Sequence, residues 1–300
     1  MAQSIYDITL ASSVLIEEYQ SKGYSDYLQA LLLANDKISQ AILKTKGNWT
    51  TSKLNEIKRL INDEITKSYG GLFEQLQDES VAIATINQNA VLGYASLATT
   101  LPEYAVKDLI KSTRLIQMGE DSQYEFKKLL EGTKETNIRV LRNTLAGLVV
   151  TGKTPQEIAR DLTFKSNKLS KGQIRSNIFT IITDAKNQGN YQGYKELEKR
   201  GLIRFYEYVA TLDMRTSSIC RESDGRKFYQ KIDEIPSGLK PIRHANCRSQ
   251  LVARTEDSPQ LRTSETGLTY DQTYSQWFNN QPDSFKKTVM GNRKYKLYKE

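Results

Sequence analysis

Phe205-Tyr-Glu-Tyr-Val-Ala210 is the point along the chain where the repeat of apolar side chains changes. Tyr206, Tyr208 and Ala210 alternate with Glu207 and Val209, an aromatic and β-branched run that suits a half-buried strand better than a helix. Asp224-Gly225 is a turn signal, and Lys227-Phe-Tyr offers a short return strand, so the stretch predicts a hairpin-like unit. A further short strand is expected through Gln250-Leu-Val-Ala253. Both cysteines of the protein, Cys220 and Cys247, fall inside this region, together with its one histidine, His244, three residues ahead of the second cysteine. Packing alone accounts for such residues as the interior of a small, loop-rich module.

The ordered set Asp213-x-Arg215-Thr216-Ser-x-x-Cys220, Asp224-Gly225 with a following aromatic, and His244-x-x-Cys247-Arg248 resembles the head-morphogenesis domain of phage Mu F-like minor head proteins. The resemblance extends upstream through Arg175-Ser-Asn-Ile-Phe-Thr-Ile-Ile-Thr-Asp-Ala-Lys-Asn-Gln-Gly-Asn190. Downstream it runs through Tyr274-Ser-Gln-Trp-Phe278 and Gln281-Pro282 to Val289-Met-Gly-Asn-Arg293. It thus takes in the second half of the chain. It implies a virion component of a tailed phage, associated with the portal vertex and acting in head morphogenesis and DNA packaging. The implied partners are the portal protein, the major capsid protein or both, with several copies per virion and nonspecific proximity to packaged double-stranded DNA. Many relatives carry Cys-Arg-Cys where this chain has Cys247-Arg248-Ser249, so one candidate sulfur is missing here.

Working outward, 300 residues suffice for two domains and for a core without disulfide staples. Charged residues make up 26% and hydrophobic ones 38%, the balance of a polar globular protein. The net charge of +8 suits a polyanionic neighbour, which leaves a DNA-binding virion protein, packaged with the genome and ejected with it, as the alternative reading. Two cysteines are no disulfide framework, and a reducing compartment is expected. Met-Ala-Gln-Ser-Ile-Tyr-Asp7 lacks the basic and apolar regions of a signal peptide, and no apolar run is long enough to cross a bilayer. The sequence therefore predicts assembly in the host cytoplasm and no membrane partner.

From residue 5 to about 200 the pattern is helical. Apolar residues three and four apart mark a buried face from Ser25 to Leu43, and Gly47-Asn-Trp-Thr-Thr-Ser52 ends that helix, with Ser52 a cap for the next. Gly70-Gly71 reads as a break, followed by a helix from Leu72 to Leu97 that Pro102 interrupts, and by another from Ser122 to Val150. The fold class is α+β and predominantly α, with the strands confined to the region after residue 202. A helical arm, 1–150, precedes a module, 151–300, divided into linker helices 151–201, the Cys/His region 202–255 and a tail 256–300.

Gly147-Leu-Val-Val-Thr-Gly-Lys-Thr154 fits the Walker A pattern, but that loop cradles phosphate only between a strand and a helix. Here a helix precedes it, Gly152 suits a helix C-terminus, and Thr154-Pro-Gln-Glu157 is a capping box with proline in the first turn. No nucleotide site is expected. The basic stretch from Thr163 to Gly172 is too long for the tight turn of a helix-turn-helix motif and reads as a linker.

Cys220, His244 and Cys247 are three soft ligands, and a tetrahedral Zn²⁺ site needs a fourth, for which Asp224 or water is available. A reduced Cys pair with His as a hydrogen-bonding core residue and a disulfide are the other readings. The residues favour the reduced pair, so no cofactor is assigned beyond this zinc alternative. No oxyanion signature accompanies the Cys/His pair, and Asp213 is expected to pair with Arg215 and cap the following turn, leaving Asp224 to form the Asp-Gly turn. The reading is a non-enzyme. Residues 255–267 are polar and predict a loop, then Thr273–Phe278 and Phe285–Met290 form two short amphipathic pieces around Pro282. Arg293, Lys294, Lys296 and Lys299 interleave with Tyr295 and Tyr298, a pattern that suits a nucleic-acid backbone, an acidic protein groove or a solvated helix end.

Overall fold

The computed structural model describes residues 5–94, 114–117, 123–255, 262–264, 267–269 and 272–299, with side-chain placement from residue 19 onward in the first helix. Two long helices come first, α1 (Ile5–Lys44) and α2 (Thr51–Tyr94). Their apolar residues recur at helical spacing, and Leu31, Ile38 and Ile42 of α1 meet Ile57, Ile61, Ile65 and Leu76 of α2 in one buried cluster. The cap of α2 is Thr50 rather than Ser52: the Lys53 amide donates to Thr50 Oγ1 at 3.2 Å. Nor does Gly70-Gly71 break the helix, because Tyr69, Leu72 and Leu76 keep the apolar face continuous across the pair. Packing over 44 residues outweighs about 1 kcal/mol of lost helix propensity per glycine. The expected helix end at Leu97 and the break at Pro102 lie outside the described residues.

The expectation that strands occur only after residue 202 fails. Strands β1 (Arg114–Gln117) and β2 (Gln123–Glu125) pair antiparallel, with Gln117 opposite Gln123. Ile116 and Tyr124 have the β-branched and aromatic character of strand residues, but runs this short carry no readable period. Helix α3 therefore begins at Phe126, after the strand, and runs to Val150.

Helix α4 (Pro155–Leu169) opens on the expected capping box, with the Glu157 amide donating to Thr154 Oγ1 and the Thr154 amide to Glu157 Oε2. It then passes through a π turn (Ser170–Ile174) directly into α5 (Arg175–Lys199). The basic stretch from Thr163 to Gly172 is thus helix, not linker: Leu162, Ser166, Ser170 and Ile174 face inward and hold the lysines on the outer side.

Helix α5 is the spine. Ile174, Ile178, Ile181, Ile182, Ala185, Tyr191, Tyr194 and Leu197 are all buried, and α2 lies along it in close contact. At Gly189 an added Cβ would stand 2.2 Å from the Ala84 carbonyl oxygen, and at Gly193 one would stand 2.7 Å from Val91. Buried Asn87, Gln88, Asn187 and Asn190 belong to these same stretches.

Beyond α5 comes a three-stranded antiparallel sheet, ordered β4 (Lys227–Phe228), β3 (Phe205–Val209), β5 (Gln250–Arg254). Tyr206 lies opposite Phe228 on one side and Ala253 on the other. The expected strands are present, but β3 is buried on both faces. Tyr206 and Tyr208 join the helical core, while Val209 packs with Val252 and Glu207 forms a buried ion pair with Arg254 at 2.5 Å. The polar 255–267 stretch is not all loop: Arg262–Ser264 forms β6, antiparallel to β7 (Gly267–Thr269). Helix α6 (Ser218–Ser223) lies between β3 and β4, and α7 (Tyr274–Asn279) and α8 (Asp283–Lys299) close the chain. One apolar cluster runs from Tyr27 in α1 to Ala253 in β5, and Leu212, Tyr274, Trp277 and Phe278 form a separate small one. Among the described residues no helix is long and apolar enough to cross a membrane. The fold is α+β and predominantly α.

Candidate functional site

Three elements converge on the cysteines. Strand β3 carries Tyr208, whose hydroxyl donates to Cys220 Sγ at 3.3 Å. Helix α6 is set by its cap, Ser217, whose Oγ accepts the Cys220 amide at 3.3 Å and thereby fixes the first turn that carries the thiol. The third element is a turn in which the Cys247 amide donates to the His244 carbonyl at 3.2 Å. This closure is why His-x-x-Cys brings its two side chains to one place. Asn246 sits in that turn at φ 58°, a conformation asparagine tolerates, and its amide and side chain donate to Thr180 and Ser176 of α5. The turn is thereby held against the spine.

Cys220 Sγ lies 3.1 Å from His244 Nε2 and 3.7 Å from Cys247 Sγ, and the three ligand atoms are within 4.8 Å of one another. Both thiols are free and buried, at 2% and 1% exposure, whereas the imidazole is half-exposed. His244 Nδ1 is 2.8 Å from the Ala245 carbonyl, which only a protonated Nδ1 can satisfy, and Ser217 Oγ is 2.8 Å from Nε2. Electrostatics divides the two sulfurs. The contacts with Cys247 and with His244 pull Cys220 well below the ordinary thiol range against the opposing effect of burial. Cys247, bonded to Cys220 and buried, is pushed up; His244 is raised by its contact with Cys220 despite partial burial.

The acidic motif residues are organisers. Asp213 does not take Arg215 as its main partner: Arg248 grips the carboxylate with both guanidinium nitrogens, while Arg215 Nε stands 3.8 Å away on a largely exposed side chain. Asp213 Oδ1 also accepts the Arg215 and Thr216 amides at 3.0 and 2.9 Å, so the expected turn cap is present. Burial pushes this carboxyl up, but the Arg248 pair outweighs it and holds the group below the usual carboxylate range. The charge of Arg248, beside Cys247 in sequence, is thereby spent on Asp213.

Asp224 does more than form a turn. Gly225, at φ 75°, makes the reversal and donates its amide to the Tyr208 carbonyl at 2.8 Å. The Asp224 side chain, 1% exposed, meets the Arg262 guanidinium at 2.6 Å and accepts the Ala210 and Tyr274 amides at 2.7 and 2.6 Å. With those bonds made, it is not the fourth member of the Cys/His cluster. Arg262 had no sequence signal, since nothing local marks one arginine in a polar stretch as buried. Ser217 did have one, its Ser-x-x-Cys spacing being that of a cap three residues before the ligand.

The basic tail residues lie on another element. Gly291, at φ 74°, kinks α8, and beyond it Arg293, Lys294 and Lys296 are exposed. Lys299 folds back onto Asp283 at 2.9 Å, and Tyr298 donates to Asn279. The Walker-like stretch is helix end, turn and helix start: Gly152 is at φ 70°, and Lys153 bonds Asp161 of α4 at 2.5 Å. For a Cys/His nucleophile the geometry is unhelpful, because the nucleophilic sulfur is buried beneath Tyr208 and Ser217.

Comparison with known proteins bears on this region of the chain. No curated protein and no solved structure matches it. A family model does, that described as Phage Mu protein F like protein, over residues 139–252, from the middle of α3 to β5 and including Asp213, Cys220, Asp224, His244, Cys247 and Arg248. Helix spine, sheet and Cys/His cluster together are the part of the chain that matches the phage Mu F-like family model.

Proposed function

We propose that the protein is a minor head protein of a tailed phage, seated at the portal vertex, where it acts in head assembly and DNA packaging. The observation that carries this reading is the Mu F-like match over residues 139–252, which supports a phage head-morphogenesis protein and a place in the virion. The organisation of the molecule agrees with a binding and assembly role. The cysteines are inside, the acids are tied to arginines, and α1 presents Leu32 and Leu33 outward at 57% and 67% exposure, with Phe164 of α4 at 69%. Such exposed apolar side chains suit contact with a protein surface better than with phosphate. The partner of this reading is the portal protein, with the major capsid protein as the other neighbour. A second reading, a DNA-binding protein ejected with the genome, has the exposed Arg293, Lys294 and Lys296 and the net charge of +8 in its favour.

Salt separates the two. Attachment through apolar burial is not screened, whereas attraction to phosphate rests on counterion release and falls steeply with salt. Phage heads are disrupted, DNA is removed with nuclease, and the portal complexes are washed at high salt. Retention with the portal is expected; loss with the DNA or in the first wash overturns the vertex reading in favour of the ejected one.

A further inference from the structure

We propose that Cys220, Cys247 and His244 form a site for a divalent transition metal of the zinc type, with Ser217 Oγ at its fourth corner. At 3.7 Å the two Sγ atoms are far beyond a disulfide bond and close to the edge of a tetrahedron with two Zn–S bonds of about 2.3 Å, which is about 3.8 Å. An S···N edge of the same tetrahedron is about 3.6 Å. Cys220 Sγ and His244 Nε2 are 3.1 Å apart, and all three ligand atoms lie within 4.8 Å, so an ion among them needs shifts of only some tenths of an ångström.

The tautomer agrees independently. Nδ1 donates to the Ala245 carbonyl at 2.8 Å, so in the neutral imidazole the lone pair is on Nε2, the nitrogen that faces the sulfurs. A backbone carbonyl on the far nitrogen is the usual support of a metal-bound histidine. Tyr208 donates to Cys220 Sγ, an orientation suited to a coordinated thiolate. Ser217 Oγ, 2.8 Å from Nε2, stands beside the same point from the α6 side. Asp224 and Asp213 are held by Arg262 and Arg248, so neither carboxylate competes for the ion.

Charge completes the case. Two thiolates and a neutral imidazole around a divalent ion sum to zero, the arrangement a buried cluster tolerates best. Thiolate and imidazole ligands select zinc over magnesium or calcium. On binding, the Cys220 and Cys247 thiols lose their protons to solvent as the two metal–sulfur bonds form; no electron is transferred. The ion would clip α6 to the His244–Cys247 turn, two parts of a module with little sheet of its own.

The full-length reduced protein is stripped with chelator and titrated with Co²⁺, then with Zn²⁺ in competition. Expected are thiolate-to-cobalt charge-transfer absorption with the visible bands of a tetrahedral site, saturation at about one metal per chain, and displacement by zinc. His244→Gln and Cys247→Ser are each expected to abolish or strongly weaken the tetrahedral spectrum, with helical circular dichroism retained. Ser217→Ala is expected to keep the charge-transfer band and alter the visible bands. Failure of the folded, reduced wild-type chain to take up either metal overturns the proposal. So does binding unchanged in His244→Gln, or disulfide formation by thiol count without metal uptake.

Discussion

Asp184 and Lys186 stand two residues apart on α5, and both are buried. Burial raises the Asp184 carboxyl to about 7 from 3.8 and lowers the Lys186 ammonium to about 7 from 10.5. The two act in opposite pH windows. From about pH 4 to 7 the native chain keeps the Asp184 proton that the unfolded chain has lost, so stability falls as pH rises. From about pH 7 to 10.5 the unfolded chain holds the Lys186 proton that the native chain lacks, so stability rises with pH. These groups together set a local minimum near neutrality. Asp184→Asn keeps the shape and removes the first limb: its melting temperature is expected to exceed wild type at about pH 8, by the equivalent of up to a few kcal/mol, and to match it near pH 4. Equal differences at both pH values would refute a titrating Asp184.

At the scale of elements, the approach of α2 to α5 is controlled by two missing side chains. Gly189→Ala places a methyl 2.2 Å from the Ala84 carbonyl, backbone that cannot swing aside, so the helices must separate. A loss of about 1–3 kcal/mol or more in urea unfolding is expected. Gly132→Ala in α3, where the added Cβ meets nothing within 4 Å, is the control and is expected to stabilise by about 0.5–1 kcal/mol. The α3–α4 junction supports a different expectation. Because Gly152 ends one helix and Thr154 begins the next, the protein is expected neither to bind nor to hydrolyse ATP in equilibrium dialysis and turnover assays. Lys153→Ala removes only a partly exposed ion pair with Asp161 and should leave the urea midpoint nearly unchanged. Nucleotide turnover that vanishes in that variant would show a phosphate loop after all.

For the whole molecule, the two tryptophans report separate parts. Trp49 packs on the large cluster that joins the helices to the sheet, and Trp277 belongs to the small cluster around Leu212 and Tyr274. That small cluster is tied to the rest through Asp224, which bonds both Arg262 and the Tyr274 amide. Asp224→Ala leaves the Arg262 guanidinium buried without its carboxylate, a defect of about 3–5 kcal/mol. In single-tryptophan variants the Trp277 transition is expected to move to lower denaturant while the Trp49 transition moves much less. Parallel shifts of both would mean that the tail and the helices unfold as one unit.

What the sequence determined by itself follows from local order. Helical periodicity marked α3 and α5, the change to period two marked β3 and β5, and the Thr154–Glu157 capping box disposed of the Walker pattern, because each signal lies within a few residues of its effect. The Cys/His cluster was legible for the same reason: Cys220, His244 and Cys247 share one short module, and a single turn joins the last two. Tertiary structure decided the rest. Arg248 rather than Arg215 holds Asp213, Arg262 rather than a local turn explains Asp224, and Gly189 is required by Ala84 across the α2–α5 contact. Gly70-Gly71 stays helical because packing along α2 outweighs propensity, and β1–β2 forms from runs too short to show a period. Each of these depends on which distant residues the fold brings into contact, and that information is absent from any window of neighbouring residues.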